Sequence, residues 1–317
     1  MTRLLSTAMK LLLVANPCAG HGRAGRLLTE VSTICKELGL EIDTRLTERP
    51  GHATEIIESE TLGAFDGVIA SGGDGTVFEA VNGVFRNPSG PAIPFGVLPM
   101  GTGNSFSRDL GLQTGQVREA LELVAGGSTR KVDVGRCRAG NHDLYYLNIL
   151  GLGFVSDVTA TAAKLKLLGN LSYTLGVIYR TAFLGTFELE LEIDGKRIER
   201  ESIFLEISNS RFTADFLMAP DAQIDDGLLD VTLLGKISRR RLLRLFPTVF
   251  KGEHVQYPEV ETFTAKHIKV ISDQPKILSP DGELIGTTPA EITCLHRALD
   301  VFCASPRDPG IMPGDRR

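Results

Sequence analysis

The sequence predicts an α/β domain with a parallel sheet, followed by a mostly β domain. The first 130 residues alternate strongly apolar runs with helical patterns, and this alternation is typical of βαβ units. The apolar runs are continuous, which indicates strands that are buried on both faces. After about Thr129 the pattern changes to strands of alternating polarity and frequent turn residues. We therefore expect domains at residues 9–130 and 131–295.

The elements of the first domain follow from the positions of the apolar runs. Strands are predicted at residues 10–16, 40–46, 67–71 and 94–98. Helices are predicted at residues 23–38, 53–62 and 77–85. Parallel sheets of this kind bind ligands beyond the carboxyl ends of their strands. The segments that follow the strands are therefore the first places to look for a site.

The second domain contains one clear amphipathic strand and two helical stretches. In residues 187–194, apolar side chains alternate with three Glu and one Asp, so one face of this strand is apolar. The predicted helices are residues 155–168, running on towards Phe183, and residues 239–250.

Composition narrows the class of protein. The chain has 317 residues, 42% of them apolar, which is enough for two cores. Lys and Arg total 34 against 39 Asp and Glu, and the net charge of −5 argues against a general nucleic-acid binder. The five cysteines never form a C-x-x-C pair, which argues against a zinc ribbon or a disulfide framework. No apolar run reaches the roughly 18 residues of a membrane span, and we expect a cytoplasmic protein.

A first glycine loop, residues 16–25, follows the first strand. It contains G-x-G-x-x-G at Gly20, Gly22 and Gly25, between a strand and a helix. Two acidic residues follow about 20 positions later, which is the context of a dinucleotide-binding fingerprint. Short glycine patterns also occur by chance in a chain with 34 glycines.

A second loop, Gly72-Gly73-Asp74-Gly75-Thr76, lies between an apolar strand and a helix. Its glycines let backbone amides approach a polyphosphate, and the helix N-terminus adds partial positive charge. The Asp74 carboxylate would repel phosphates unless Mg²⁺ lies between them, so it indicates a metal–nucleotide ligand. The alternative is an Asp-Gly turn that only caps the helix.

A third loop contains Gly101, Thr102, Asn104 and Ser105. Its hydroxyl and amide groups suit ribose or phosphate oxygens, although Thr, Asn and Ser are also ordinary helix caps. No G-x-x-x-x-G-K-[ST] motif occurs, so phosphate binding would use a geometry other than that of a P-loop.

Five motifs occur in one order: N-P-x-A-G from Asn16, G-G-D-G-T from Gly72, P-x-G-T-x-N from Pro99, D-D-G-L-L-D from Asp225 and D-G-E from Asp281. With these motifs the chain resembles the soluble diacylglycerol kinase catalytic family of lipid kinases. That family includes bacterial diacylglycerol and phosphatidylglycerol kinases and sphingosine and ceramide kinases, and is distantly related to NAD kinase and phosphofructokinase. The resemblance extends from residue 10 to about residue 304.

The resemblance implies an NAD kinase-like and phosphofructokinase-like nucleotide domain followed by a β-sandwich. A last strand near residues 298–304 would return to the first domain, which would then include about residues 296–317. The ATP contacts that it implies are Asn16, Pro17, Gly20, Thr47, Gly72, Gly73, Asp74, Gly75, Thr76, Gly101, Thr102 and Asn104.

The resemblance also implies that Asp74, together with Asp133, holds Mg²⁺ through water and takes part in catalysis. One departure concerns this metal. The family usually has N-D-F where this chain has Asn104-Ser105-Phe106. A carboxylate expected near Mg²⁺ is therefore missing, and Asp74 and Asp133 would have to bind the metal without it.

The general base for the lipid hydroxyl would be Asp281 or Glu283, and Asp226 and Asp230 would help to form a separate structural metal site. From the residues alone, Ser-Pro-Asp-Gly-Glu is also a good turn between two strands. The acidic segment from Asp225 to Asp230 could likewise be a hairpin turn.

A lipid acceptor would bring the protein to a membrane surface, at the inner face. The segment 238–246 places four arginines beside apolar residues, which suits contact with anionic head groups. A helix whose leucines cover the sandwich and whose arginines are solvated explains it equally well. The apolar stretch 165–184 is a candidate wall for acyl chains or part of the core. We expect no nucleic-acid partner and leave a homodimer open.

An ATP-dependent lipid kinase is the leading functional hypothesis. A dinucleotide-binding oxidoreductase would use Gly20, Gly22 and Gly25, but the second and third loops would then have no function. An enzyme of the same fold could phosphorylate NAD instead. A nucleotide sensor without turnover is the fourth hypothesis, and Ser105 is the residue that motivates it.

Overall fold

A computed structural model gives the structure of residues 8–164 and 171–304. The chain divides into two compact units. Unit 1 contains the residues up to Lys131 and those from Leu299 onwards, and unit 2 contains Val132–Ala298.

Unit 1 is built on a parallel sheet with the strand order β4-β3-β1-β2. The strands are β1 (Met9–Ala15), β2 (Leu40–Leu46), β3 (Gly67–Gly72) and β4 (Phe95–Pro99). The helices are α1 (Ala19–Glu37), α2 (His52–Ser59), α3 (Asp74–Arg86), α4 (Ser105–Asp109) and α5 (Val117–Ala125). The predicted parallel α/β domain is confirmed, and the alternating order of strands and helices is the one expected of βαβ units.

Burial explains why the strands of unit 1 are continuously apolar. Every residue of β3 and β4 is buried, as a sheet covered on both faces requires. On one face, Leu11, Leu13 and Ile69 pack with the apolar sides of α1 and α5. The chain passes from β2 on one side of β1 to β3 on the other, so the order in which strands are added reverses at β1. Such a reversal is where open α/β sheets bind their ligands.

Unit 2 is mostly β and is organised around the long strand β9. One edge of β9 pairs with β12, and the other pairs with β8 and then with β7. Its strands are β5 (Thr129–Ala139, which starts in unit 1), β6 (His142–Tyr146), β7 (Ile149–Gly153), β8 (Phe187–Ile193), β9 (Lys196–Ser208), β10 (Phe212–Thr213), β11 (Phe216–Leu217), β12 (Leu229–Gly235), β13 (Val260–Ala265), β14 (His267–Ser272), β15 (Leu278–Pro280) and β16 (Ala290–Phe302, which ends in unit 1). The predicted β-sandwich domain is confirmed.

The helices of unit 2 are α6 (Phe154–Lys164), α7 (Leu171–Thr181) and α8 (Arg239–Leu245). The predicted helix 239–250 is too long: α8 stops at Leu245 and a 3-10 segment, Phe246–Lys251, follows. Pro247 explains this end, because proline has no amide hydrogen to donate to the carbonyl four residues earlier, so the α-helical hydrogen bonds cannot continue through it. Part of the predicted apolar stretch 165–184, residues 165–170, lies outside the described residues.

The last strand confirms the expected return to the first domain. The final residues of β16 extend the sheet of unit 1, where Val301 pairs in parallel with Phe95 of β4. Among the described residues, no helix is both long enough and apolar enough to span a membrane.

Candidate functional site

The carboxyl ends of the four parallel strands bring the predicted loops to one edge of unit 1. Asn16 follows β1, Thr47 follows β2, Gly72 ends β3 and Met100 follows β4. The amide of Thr47 donates to the carbonyl of Ala15 over 2.9 Å, which keeps the ends of β1 and β2 side by side. The three predicted loops and Thr47 are therefore neighbours through the sheet itself. The first loop is shorter than predicted: α1 starts at Ala19 and not at residue 23, so Gly20, Gly22 and Gly25 lie in the first turns of the helix.

Asn16 connects the first loop to the second. Its Nδ2 donates to Thr76 Oγ1 over 3.3 Å, and its Oδ1 accepts the amide of Cys18 over 3.0 Å. Behind it, the amide of Gly25 donates to the carbonyl of Pro17 over 3.1 Å. A Cβ on Gly25 would lie only 3.0 Å from that oxygen, so glycine permits the close approach. Gly20 has a φ of +58°, in the left-handed region.

The second and third loops touch through their backbones. The amides of Met100 and Gly101 both donate to the carbonyl of Gly72 over 3.0 Å. A Cβ on Gly101 would lie 2.3 Å from the Cα of Gly73, closer than atoms can approach. Glycine is therefore required at position 101 for these loops to meet.

The third loop takes its shape from Asn104. This residue is buried with a φ of +53°, and its Nδ2 donates to the carbonyl of Gly101 over 3.0 Å and to Thr114 Oγ1 over 2.8 Å. Its Oδ1 accepts the amide of Gly101 over 3.0 Å. The side chain of Asn104 is thus engaged inside the loop, whereas Thr102, also predicted to contact ATP, is exposed.

Asp74 opens helix α3 and connects the second loop to the third. Gly73 precedes it in an extended conformation, so the helix starts three residues before the predicted position. Asp74 Oδ1 accepts the amide of Ser105 over 2.6 Å. Burial raises the pKa of Asp74, and hydrogen bonds from the amide and hydroxyl of Ser105 oppose that rise. Ser105, where the family usually has a carboxylate, is a hydrogen-bond donor to Asp74.

The donor set at Asp74 suits Mg²⁺. Magnesium is commonly held by one or two carboxylates together with substrate phosphates and water. Asp74 is half-buried, and burial disfavours the charged form of its carboxylate. A nearby cation would stabilise that charged form. Asp74 lies at the N-terminus of α3, where phosphates are also favoured.

Asp133, the second residue expected at Mg²⁺, lies on β5 in unit 2 and is completely buried. Its Oδ1 accepts the amide of Arg297 over 2.6 Å and faces His296 Nδ1 at 2.9 Å. Its Oδ2 accepts the amide of Gly227 over 2.6 Å. In unit 2 this carboxylate therefore connects the acidic loop, residues 225–230, to strand β16. Its part in metal binding stays a prediction.

The acidic loop itself carries Asp226 and Asp230, the residues expected at a structural metal. Burial raises the pKa of Asp230 to about 6, and the charges of Asp226 and Asp221 add to this rise. Asp226 Oδ1 accepts the amide of Leu228 over 3.0 Å, as in an Asx turn. Within the described ranges, no three His, Cys, Asp or Glu side chains are arranged to hold a metal ion. The structural metal site stays a prediction.

The turn after β15 holds the two candidate bases. Asp281 is buried with a φ of +46°. Its Oδ1 accepts the amides of Asn148 and Ile149, each over 2.9 Å, and its Oδ2 accepts the amide of Leu147 over 3.1 Å. Glu283, two residues later, is exposed. Asp281 is thus a buried carboxylate that three backbone amides hold in one orientation.

Unit 2 also contains an apolar pocket, with about 750 Å³ of space not filled by protein atoms and partly open to solvent. It is lined by Phe154, Val155, Val158, Val177, Phe204, Glu206, Thr213, Phe216, Met218, Leu234, Leu242, Leu245, Phe246, Val249, His254 and Val260. The lining is predominantly hydrophobic, as in most small-molecule sites. Residues of α6, α7 and α8 form part of the wall, so the predicted helices border a pocket as well as a core.

Glu206, an acidic residue in this lining, is not among the site residues predicted from the sequence. Its side chain is 1% exposed, and Thr213 Oγ1 donates to its Oε1 over 2.8 Å. Burial raises the pKa of Glu206 to about 7. Its place in an apolar strand pattern was the available signal, but alternation along β9 does not show which neighbours meet its side chain.

Comparison with known proteins adds to this geometry. Residues 10–137 match the family described as the diacylglycerol kinase catalytic domain, and residues 148–303 match the YegS C-terminal NAD kinase beta sandwich-like domain. The chain is 31% identical over 292 residues to a diacylglycerol kinase of Bacillus subtilis (strain 168), covering 91% of this chain and 94% of the relative. It is 31% identical over 297 residues to a diacylglycerol kinase of Mycobacterium tuberculosis (strain ATCC 25618 / H37Rv), covering 92% and 94%. A crystal structure of a diacylglycerol kinase from Bacillus anthracis str. Sterne aligns with a TM-score of 0.78 at 26% identity, covering 93% of this chain and 97% of that chain.

Proposed function

Since this chain belongs to the diacylglycerol kinase catalytic domain family, a family of lipid kinases that use ATP, we propose that it transfers the γ-phosphoryl group of ATP to a hydroxyl of a lipid such as diacylglycerol. The observation that supports this most is the meeting of three glycine loops at the carboxyl ends of β1, β3 and β4. An oxidoreductase would need only the first loop. The whole arrangement is better suited to a nucleoside triphosphate.

The loops would bind the triphosphate mainly through backbone groups. Gly72, Gly73 and Gly75 keep side chains away from the start of α3, whose N-terminus favours negative charge. Asn16 and Thr76 hold the first loop against the second, and Thr102 is exposed for a contact with the nucleotide. This explains how an acidic protein could bind a polyanion without a broad basic surface.

Asp74 would hold Mg²⁺ on the phosphates, by itself or through water. The metal would neutralise charge on the triphosphate and help to position it for transfer. Ser105 keeps Asp74 in place and favours its charged form by donating its amide and hydroxyl. A donor at position 105 thus compensates in part for the carboxylate that the family usually has there.

Asp281 would act as the general base. The lipid hydroxyl gives its proton to the carboxylate while its oxygen forms a bond to the γ-phosphorus, and the bond between that phosphorus and the bridging oxygen of ADP breaks. The three amides of residues 147–149 fix Asp281 in one orientation, which general base catalysis requires. Glu283 is the second candidate, on the same turn.

The apolar pocket of unit 2 would take the hydrocarbon part of the acceptor. Its lining of Phe, Val, Leu and Met side chains offers favourable burial for acyl chains. Each CH₂ group that leaves water contributes about 0.8 kcal/mol, so a short length of chain already gives useful affinity.

The test is an acceptor panel with ATP labelled at the γ-phosphate. Purified protein is incubated with Mg²⁺ and separate micelles of diacylglycerol, phosphatidylglycerol or sphingosine, next to a tube without lipid and a tube with NAD. Label in a lipid supports the proposal and names the acceptor. Label in NAD alone, or in no acceptor, contradicts it.

A further inference from the structure

Helix α7 and the turn after it carry large apolar side chains on the outside of unit 2. Leu175, Ile178, Tyr179 and Phe183 are between 40% and 66% exposed. Leu175, Ile178 and Tyr179 occur at positions i, i+3 and i+4, which places them along one side of α7, and Phe183 lies in the turn after it. The rings of Tyr179 and Phe183 lie 5.3 Å apart, so these residues form a cluster rather than scattered exposed groups.

Helix α8, which contacts α7, and the segment after it extend this surface. Leu243 and Phe250 are each 44% exposed. On the same helix, Leu242 and Leu245 are buried and line the pocket. Helix α8 therefore has buried leucines on its inner side and an exposed leucine, Leu243, among the arginines of its outer side.

Unpaired positive charges lie beside the exposed apolar groups. Arg239, Arg240 and Arg244 are exposed, and within the described part of the chain they have no carboxylate within ion-pair distance. Arg241 differs, because its Nε donates to Glu259 Oε1 over 2.7 Å and its guanidinium stacks on Tyr257. The arginine run predicted from the sequence thus offers three free cations, in a protein with a net charge of −5.

This surface is continuous with the wall of the pocket. The ring of Phe250 lies 4.9 Å from that of Phe216 and 5.6 Å from that of Phe246, and both of those residues line the pocket. On α7, Val177 lines the pocket while its neighbour Ile178 is exposed. The same two helices therefore face the pocket on one side and solvent on the other.

We propose that this surface docks on a bilayer that contains anionic lipids, with the apolar side chains in the head-group region and the arginines on the phosphates. We call it the docking face and define it as Leu175, Ile178, Tyr179, Phe183, Arg239, Arg240, Leu243, Arg244 and Phe250. Its combination of exposed aromatic and aliphatic groups with charge of one sign is typical of interfacial helices. A bilayer is favoured over a protein partner because the face is the outer wall of an apolar pocket.

The inference rests on the proposed function in one respect: a lipid acceptor explains why the pocket should reach a bilayer. Binding to vesicles is measured without turnover, so the two proposals are tested separately. Flotation compares vesicles of phosphatidylcholine alone with vesicles that also contain phosphatidylserine. We expect wild type to float with the anionic vesicles and less with the neutral ones. A basic residue near such a surface contributes about 1 kcal/mol, so the Arg239→Gln/Arg240→Gln/Arg244→Gln variant should bind anionic vesicles at least tenfold more weakly.

A second variant, Ile178→Asn/Phe183→Asn, should also bind at least tenfold more weakly. Its matched control is Ile271→Asn, which changes a side chain of equal type and similar exposure (44%) on strand β14, outside the docking face. The control should bind as wild type does, and unfolding midpoints verify that all variants fold. Unchanged binding of both docking-face variants overturns the proposal, as does failure of wild type to bind either vesicle.

Two further measurements separate the alternatives. If light scattering shows a dimer of the wild type that the Ile178→Asn/Phe183→Asn variant loses, the face is an interface between copies and the proposal is wrong. On lipid dispersed in detergent, that variant should keep wild-type turnover, because its defect lies in reaching a bilayer. A wild type that binds anionic vesicles but phosphorylates no lipid would contradict the proposed function and leave the docking face intact.

Discussion

The carboxylate of Asp74 accepts the amide of Ser105 over 2.6 Å, and this bond joins the second glycine loop to the third. Asp74 starts α3 and Ser105 starts α4, so the bond also joins the beginnings of two helices. The family's usual carboxylate at position 105 would repel Asp74 unless a cation lay between them, whereas serine attracts it. Before any metal binds, Asp74 is therefore held in place by the protein alone.

Replacing the Ser105 hydroxyl should shift the pH dependence of activity. Ser105→Ala keeps the amide but removes a hydrogen bond that favours the charged form of Asp74, so the pKa of Asp74 rises further. If the charged carboxylate is the active form, the acidic limb of kcat/KM for MgATP moves to higher pH. We expect a loss of about tenfold near neutral pH, since a bond to a charged group is worth about 1.5–3 kcal/mol.

The control for this prediction is Ser105→Thr, which keeps a hydroxyl at the same position and should retain the wild-type pH profile. A Ser105→Ala profile identical to that of wild type would show that the hydroxyl has no influence on Asp74 during turnover.

Gly101→Ala should separate the second and third loops. The added Cβ would lie 2.3 Å from the Cα of Gly73, so one loop must move. We expect ATP affinity to fall at least tenfold, measured by calorimetry, together with a lower unfolding midpoint. Gly63→Ala is the matched control in unit 1, because its added Cβ has no atom within 4 Å. Equal ATP affinities of the two variants would contradict the assignment of these loops to the nucleotide.

Asp281→Asn should abolish turnover while ATP binding survives. Removal of a general base typically costs 100-fold to 10,000-fold, so we expect kcat to fall by roughly 100-fold or more. The carboxamide also cannot accept all three amides of residues 147–149, and the free energy of unfolding should fall by about 1–3 kcal/mol. Glu283→Gln is the comparison, and we expect its kcat within a few-fold of wild type. The opposite pattern, with activity lost only in Glu283→Gln, would assign the base to Glu283.

Glu206 should make the protein less stable as pH rises. Burial raises its pKa from 4.5 to about 7, so between these values the folded state keeps a proton that the unfolded state releases. The free energy of unfolding therefore falls across this window, by on the order of 3 kcal/mol in total from this group. Glu206→Gln removes the titration and keeps an acceptor for Thr213.

Urea unfolding of both proteins between pH 4.5 and pH 8 measures this effect. The stability of Glu206→Gln relative to wild type should increase with pH across the window. A constant difference between the two proteins would mean that Glu206 does not titrate in the folded state.

Much of the fold was predictable because the signals are local. Strand β2 was predicted with its observed bounds, and the other strands of unit 1 within one residue, since each is a continuous apolar run. The return of the last strand could not come from local patterns. It came from the resemblance, which the family matches confirm.

The contacts that decide the roles of single side chains were not predictable. Asp133 meets Gly227, His296 and Arg297, which are 94 to 164 positions away in the sequence. The same holds for Asp281, whose three amide donors lie more than 130 positions away. Long-range partners of this kind depend on the tertiary fold, and one sequence contains no local sign of them.

Transfer of label from the γ-phosphate of ATP to a lipid tests the central claim most directly. Wild type, Asp281→Asn and Gly101→Ala are compared in parallel with Mg²⁺ and diacylglycerol micelles, and the lipid fraction is analysed for phosphatidic acid. We predict labelled phosphatidic acid with wild type and little or none with either variant. Wild-type protein that binds ATP but labels no lipid, from diacylglycerol or from the other acceptors of the panel, would contradict the account.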